Sequence, residues 1–284
     1  MIDATWRSLC PGFLLFLMMS LNSYGQSIGP IDYFEYLRSR SRVIECAIES
    51  DVLARRVLQE YGSMFSAADD VILPSKCFYK NSDEVKSLQK KLRQTTINVG
   101  GVDITLQEAA AKTLAAAVED AASRDLKITP FDGEIAGKRI YTDSVRVWNK
   151  RFFPALEFWV SAGNITEEES VSARNLPLID QARKVLQWES QGYLFGTGRR
   201  RSIFSSTAPP GASQHLALIA FDVVEYQDPA VREILNAHGW FQTVANDPPH
   251  FTYLGSPESS LPSHGLRKIE SYDGNVWVPN ITRP

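Results

Sequence analysis

The sequence predicts an α+β fold: a small antiparallel sheet that carries the candidate site, flanked by helices and preceded by a helical N-terminal region. Three observations carry that expectation. Apolar residues recur at helical spacing in the first third of the chain, and a second set of helix signals begins at Thr105. Strand-like runs cluster after residue 239, ending in a strong hairpin signal. Helices and strands are mixed without the regular βαβ alternation of a parallel sheet. At 284 residues and 44% hydrophobic content, the chain has ample material for a core.

Taken in order, the first element is a targeting signal. Arg7 precedes the apolar run Phe13–Met19, which ends in the small-residue stretch Ser20–Gly25, with Ser23 and Gly25 at the −3 and −1 positions of a cleavage site. A signal peptide over residues 1–25 is expected, placing the mature protein in the secreted or periplasmic space; an uncleaved N-terminal anchor is the alternative. The run is short for a membrane span and no later stretch is apolar enough, so no stable span is expected after cleavage. Cleavage would remove Cys10 and leave Cys46 and Cys77. In an exported chain these two are expected to pair, closing a loop of about thirty residues. Two buried thiols are the alternative.

Residues 26–98 form the helical N-terminal region. Asp51–Glu60 places apolar residues at helical spacing, and Ser82–Arg93 is a second, charged amphipathic stretch. The basic run Arg38–Arg42 reads as a solvated surface. The domain that follows spans 99–258. Thr105 and Glu108 make a capping box that opens an alanine-rich helix through Ser123. Lys127–Pro130 reads as a short strand. A helix from Tyr141 to Lys150 presents Val145, Val147 and Trp148, and Pro154 forces a break or restart soon after. Thr166 with Glu169 is a second capping box, and Pro177 opens the next helix. Asp228 caps a helix with Pro229 in its first position and Gly239 as its stop. Trp240–Val244 and His250–Leu254 have strand composition. In the C-terminal tail, 259–284, Asp273-Gly274 between Lys268–Tyr272 and Asn275–Val278 predicts a hairpin.

Net charge is −3, which gives no electrostatic footprint for nucleic acid or an anionic membrane. The chemistry concentrates elsewhere. The chain has four histidines, and two of them, His215 and His250, lie close in sequence to Asp222 and Asp247. Two imidazoles and a carboxylate are three ligands of the kind a catalytic zinc takes, with the fourth position left to water. Seven residues of straight strand would hold His215 and Asp222 roughly 23 Å apart and on opposite faces. A helix would hold them about 10 Å apart. If both bind one ion, the chain must turn between them.

The segment Ser213-Gln-His215-Leu-Ala-Leu-Ile-Ala-Phe-Asp222, read with Asp247-Pro-Pro-His250, resembles the LAS metallopeptidases. These share one fold among lysostaphin-type enzymes, D-alanyl-D-alanine peptidases and the Hedgehog signalling domain. Their pattern is Ser-x-His-x-x-Gly-x-Ala-x-Asp followed by Glu-x-x-His. Ser213, His215, Ala220, Asp222 and His250 match it, and Ala208–Ala212 resembles the approach to the first histidine. The segment is most similar to the D-alanyl-D-alanine carboxypeptidase branch. Leu218 stands where that pattern has glycine, and Asp247 where it has the catalytic glutamate.

The resemblance implies Zn2+ on His215, Asp222 and His250, with Asp247 as general base. It implies substrate contacts from Arg139, in a segment similar to the family's Tyr-Arg-Ser, and from Ser213 to the substrate's terminal carboxylate. His238 and His264 lack such context and read as non-ligands. The Arg199–Arg201 cluster after Gly196-Thr-Gly198 reads as a solvated loop rather than a phosphate cradle, because no strand-loop-lysine arrangement accompanies it. The implied function is an exported zinc peptidase cutting D-Ala-D-Ala or related bonds of peptidoglycan stem peptides. The alternative is a zinc-bearing module, weak or inactive in catalysis, that binds wall peptides or a partner protein.

Overall fold

Short side chains that accept hydrogen bonds set where the first helices begin. Asp32 caps α1 (Tyr33–Ser39), Asp51 caps α2 (Val52–Tyr61) and Asn81 caps α3 (Ser82–Gln89), each accepting from two backbone amides. The computed structural model describes residue 1 and residues 30–40, 44–47, 50–271 and 274–281. The expected signal peptide, residue 1 aside, lies outside the described residues, as do Arg42 and Asp273. The buried faces of α1 and α2 enter a core that continues to Trp277 near the C-terminus. The N-terminal region therefore shares its apolar interior with the rest of the chain. Cys46 and Cys77 form a disulfide, with Cα atoms 5.4 Å apart.

Thr105 does not open a helix. β1 (Gln94–Val99) and β2 (Val102–Gln107) form an antiparallel hairpin, in which Thr105 pairs with Thr96 and their hydroxyls lie 2.8 Å apart. The helix α4 (Glu108–Ser123) starts only at Glu108, after Gln107. The reason is Gly100-Gly101, both at positive φ, which turn the chain so that the β-branched runs on either side can pair. The expected helical region 26–98 ends inside this hairpin.

Pro154 does not break its helix either: α5 runs from Tyr141 to Ser161. Proline removes one helical hydrogen bond. Trp148 and Phe152 before it, and Ala155 and Leu156 after it, are all buried in the same core, which holds both halves in line. The Thr166–Glu169 capping box opens α6 (Glu167–Arg174) as expected, with both reciprocal bonds made. Pro177 immediately precedes α7 (Leu178–Ser190). Asp228 caps α8 (Pro229–Ala237), which Gly239 stops at a φ of 80°.

The central sheet is small and antiparallel, with strands β3 (Ala220–Asp222), β4 (Trp240–Gln242) and β5 (His250–Tyr253) in the order β3-β5-β4. Side chains alternate along each strand, so His250 and Thr252 face one way while Phe251 and Tyr253 face the other. On the second face, Trp240 packs against Phe221 and Tyr253, and its indole donates to Thr113 of α4. That anchored layer leaves the first face for the candidate site. Lys127–Thr129 does not form the expected strand; the following Pro130 makes an isolated bridge to Val223, just past the end of β3. β6 (Leu266–Ser271) and β7 (Gly274–Pro279) pair as the expected hairpin. Helices around small antiparallel sheets make the fold α+β. No helix among the described residues is long and apolar enough to cross a membrane.

Candidate metal centre

His215 and Asp222 meet because the chain turns twice between them. Gln214–Ala217 forms a short 3-10 turn, Leu218 takes the left-handed conformation (φ 56°, ψ 35°), and β3 then begins at Ala220. Leucine in that conformation is strained by roughly 1–2 kcal/mol. Its side chain is fully buried beside Tyr79, Val85, Leu88 and Tyr141, which offsets the strain. The backbone path that a glycine would make easy is thus held by packing. Asp222 sits directly opposite His250 in the β3–β5 ladder, which brings in the third residue.

The three ligand atoms form a nearly equilateral triangle. His215 Nε2 lies 3.1 Å from His250 Nδ1 and 3.2 Å from Asp222 Oδ1, and His250 Nδ1 lies 3.1 Å from the same oxygen. A tetrahedral ion over such a triangle would be about 1.9–2.0 Å from each atom, close to zinc–imidazole and zinc–carboxylate bond lengths. Hydrogen bonds outside the triangle fix which ring nitrogens carry protons. His215 Nδ1 lies 2.7 Å from the Gly137 carbonyl, which can only accept, so Nδ1 is protonated and Nε2 presents a lone pair. Gly137 is tight against β2: a Cβ there would lie 2.8 Å from Ile104 Cγ2.

The second imidazole is fixed by a longer relay. The Gln214 amide nitrogen donates to the Tyr61 carbonyl at 2.9 Å, so its oxygen must face His250 Nε2, 2.7 Å away. Thr252 also donates to that oxygen. His250 Nε2 is therefore the protonated nitrogen, and Nδ1 presents a lone pair. Two imidazole lone pairs and a carboxylate oxygen thus converge on one point with no proton among them. That arrangement could hold a metal ion, and the outer partners are of the kind that orient metal-binding histidines. His215, Asp222 and His250 are 1%, 7% and 4% exposed. They form the one metal-capable group of His, Cys, Asp and Glu found among the described residues.

Electrostatics agree with that donor set. Burial, reinforced by the nearby Arg139, pushes His215 down to about 4 despite the pull of Asp222, so its ring is neutral at pH 7. Burial alone would raise the Asp222 carboxyl, but the facing His215 and Arg139 outweigh it and hold it well below the usual range. With His215 neutral, Arg139 is the charge that keeps Asp222 ionised at pH 7. Its Nη2 pairs with Asp222 Oδ2, and its Nε donates to the Ile135 carbonyl at 3.0 Å.

A narrow pocket of about 40 Å³ opens onto the triangle, lined among others by Tyr61, Arg139, Ser213, His215, Asp247 and His250. Asp247 is half-buried in its wall, at the start of a turn closed by the His250 amide donating to the Asp247 carbonyl at 3.0 Å. Burial first, and then the like charge of Asp222, push its carboxyl up to about 6 against the pull of His250, Arg139 and Arg151. Ser213 precedes the 3-10 turn, and its hydroxyl makes no cap bond there. His238 lies 3.4 Å from Asp120, and His264 stacks on Tyr36; neither belongs to the group. The sequence reading missed Gly137, Gln214, Tyr61 and Thr252. Gln214 stands inside the motif, but nothing local signals Tyr61, which is 153 residues away from it. No family profile and no curated protein matches this chain.

Proposed function

We propose that this chain is an exported zinc-dependent peptidase, similar to the D-alanyl-D-alanine carboxypeptidases of the LAS group. Its substrates would be D-Ala-D-Ala or related bonds of peptidoglycan stem peptides in the cell envelope. One observation supports the reading above the others: three proton-free donors converge at the base of a pocket whose wall holds a further carboxylate, Asp247.

Zinc held by His215, Asp222 and His250 would supply a Lewis acid for the scissile carbonyl and lower the pKa of water. The chain's own residues have separate tasks. Asp247 accepts the proton of the attacking water and returns it to the leaving amine, a role open to a carboxylate on the pocket wall. Arg139 holds Asp222 ionised and oriented, and it reaches the same pocket to steady the acyl end of the substrate. Ser213 faces the terminal carboxylate.

A second reading, a zinc-bearing module that binds wall peptides without cutting them, is favoured by the size of the pocket. About 40 Å³ accommodates an ion and a water but not a dipeptide. For hydrolysis, the residues lining the pocket must part. Incubating the zinc-loaded protein with a stem peptide ending in D-alanyl-D-alanine separates the two readings. Chelator-sensitive release of free D-alanine supports the peptidase. Saturable peptide binding with no release supports the module.

A further inference from the structure

The hydroxyl side chains that line the pocket divide into two kinds. Tyr61 donates to the Phe204 carbonyl at 2.7 Å, and Ser144 donates to the Tyr141 carbonyl at 2.6 Å. Ser206, Thr207 and Ser213 line the same pocket, and their hydroxyls make no hydrogen bond among the described residues. Ser206 Oγ is also shielded from solvent, and Thr207 is only 4% exposed. A buried hydroxyl has given up its bonds to water, so leaving it unpaired is destabilising and native proteins keep few such groups. Two successive ones in one pocket wall call for a partner that enters the pocket.

That wall is fixed by its backbone. The Tyr61 hydroxyl holds the Phe204 carbonyl, Glu189 accepts from the Ile203 amide at 2.8 Å, and the Asn246 amide donates to the Ser205 carbonyl at 3.0 Å. The Thr207 amide closes the turn onto the Ile203 carbonyl at 2.8 Å. The approach to Ser213 is held as firmly. The Gly211 carbonyl accepts from the Tyr79 amide at 2.9 Å, and Gly211, at a φ of 88°, lies so close to the Tyr79 backbone that no side chain would fit. The three hydroxyls are therefore carried to the pocket on segments anchored elsewhere in the fold.

Charge and size indicate what they meet. With a divalent ion on His215, Asp222 and His250, the ion and Arg139 set three positive charges against the two negative ones of Asp222 and Asp247. Such a site favours an anionic group. A carboxylate offers two oxygens with about four lone-pair sites, which suits several hydroxyl donors whose hydrogens rotate to fit. A pocket of about 40 Å³ leaves no path for a chain to pass through, so the group that enters is a chain end. We infer that Ser206 and Thr207, together with Ser213, seat the C-terminal carboxylate of a peptide, and that Thr207 sets the preference for a free terminus over an internal bond. This assignment rests on the proposed action at peptides ending in D-alanyl-D-alanine, and it makes that action one on chain ends.

The test uses two stem peptides made uncuttable by a ketomethylene group in place of the D-alanyl-D-alanine amide, one ending in a carboxylate and one in its primary amide. Fluorescence anisotropy on the zinc-loaded full chain reads their binding without requiring activity. The wild type should bind the acid at least roughly tenfold more tightly than the amide. Thr207→Val keeps the shape and loses the hydroxyl; it should cut that preference about fivefold or more, while Thr207→Ser should stay within about twofold of wild type. Urea unfolding of Thr207→Val should show no loss of stability, because the hydroxyl makes no bond inside the protein; a clear fall would mark a structural role and overturn the seat. Equal binding of acid and amide by the wild type, or binding of neither, overturns it too. So does a Thr207→Val variant that keeps the full preference, or one that weakens both peptides alike and so places the contact upstream of the terminus. Release of D-alanine from ordinary peptides is scored separately. A Thr207-dependent preference without release keeps the seat and removes the peptidase reading, whereas release with a preference indifferent to Thr207 does the reverse.

Discussion

Gln214 Oε1 lies 2.7 Å from His250 Nε2, while the nitrogen of the same amide donates to the Tyr61 carbonyl. A backbone carbonyl at the end of α2 thereby sets the tautomer of a histidine in β5. The amide cannot flip without setting its oxygen against the Tyr61 carbonyl and its NH2 against the His250 N–H. Gln214 therefore orients the donor set, although it contributes no ligand atom.

Gln214→Leu should keep the fold and weaken zinc binding by roughly 10- to 100-fold, the usual effect of losing an outer-shell partner. His215→Ala, Asp222→Ala or His250→Ala should go further and leave no stoichiometric zinc after dialysis. His238→Ala should bind like the wild type. Chelator competition reads all of these, and wild-type affinity in Gln214→Leu would show that the relay is idle.

Asp247→Ala should retain zinc and lose peptidase activity by at least ~100-fold, the lower range for a general base. Asp247→Glu reports on reach: activity rises if the pocket suits a longer side chain and falls if the turn through Pro248-Pro249 is fitted to aspartate. The rate of D-alanine release measures both. Wild type and Asp247→Glu that bind every such peptide yet release nothing would leave only the binding module.

Leu218 offers an unusual ordering of stabilities. Leu→Ala in a core typically costs about 2–5 kcal/mol. At a φ of 56°, alanine also retains the left-handed strain that glycine escapes. Leu218→Gly should therefore be more stable than Leu218→Ala by about 1 kcal/mol, the reverse of the order on a helix or strand. Urea unfolding of the two variants checks this. Zinc content should survive in Leu218→Gly, because the turn itself is preserved.

Asp51 caps α2 and also pairs with Arg183 of α7 at 2.7 Å. Burial opposes its ionisation, but the Arg183 hydrogen bond and charge, with the Leu53 and Ala54 amides, hold its pKa below the ordinary value. A carboxyl depressed on folding adds stability above its unfolded pKa, near 4, and loses it as pH falls through the folded value. Asp51→Asn keeps a good cap and loses the charge. It should be less stable than wild type by about 0.5–1 kcal/mol at pH 7, since the pair is partly exposed. The gap should close as pH falls through the folded-state value, and thermal melts across that range would refute the idea if it stayed constant.

Local chemistry was legible wherever it acts over a few residues. The caps at Thr166 and Asp228 and the hairpin around residue 273 follow from side chains within reach of their own backbone. So does the requirement that the chain turn between His215 and Asp222. The misreadings came where two local signals competed. Thr105 and Glu108 fit a capping box, yet Gly100-Gly101 directed Thr105 into a ladder with Thr96. Pro154 argued for a break, yet the buried aromatic residues on α5 carried the helix through it.

The sequence by itself determined which residues offer ligand atoms, His215, Asp222 and His250, because imidazole and carboxylate chemistry belongs to the residue. Only the tertiary structure decided which atom of each faces the others. That choice depends on the Gly137 carbonyl, the Gln214–Tyr61 relay and the Arg139 guanidinium. These partners lie 78, 153 and 83 residues away from the groups they bind. A hydrogen bond acts over about 3 Å of space, whatever the separation along the chain. No sequence spacing encodes such a contact; the shared core that folds α2 against the sheet creates it.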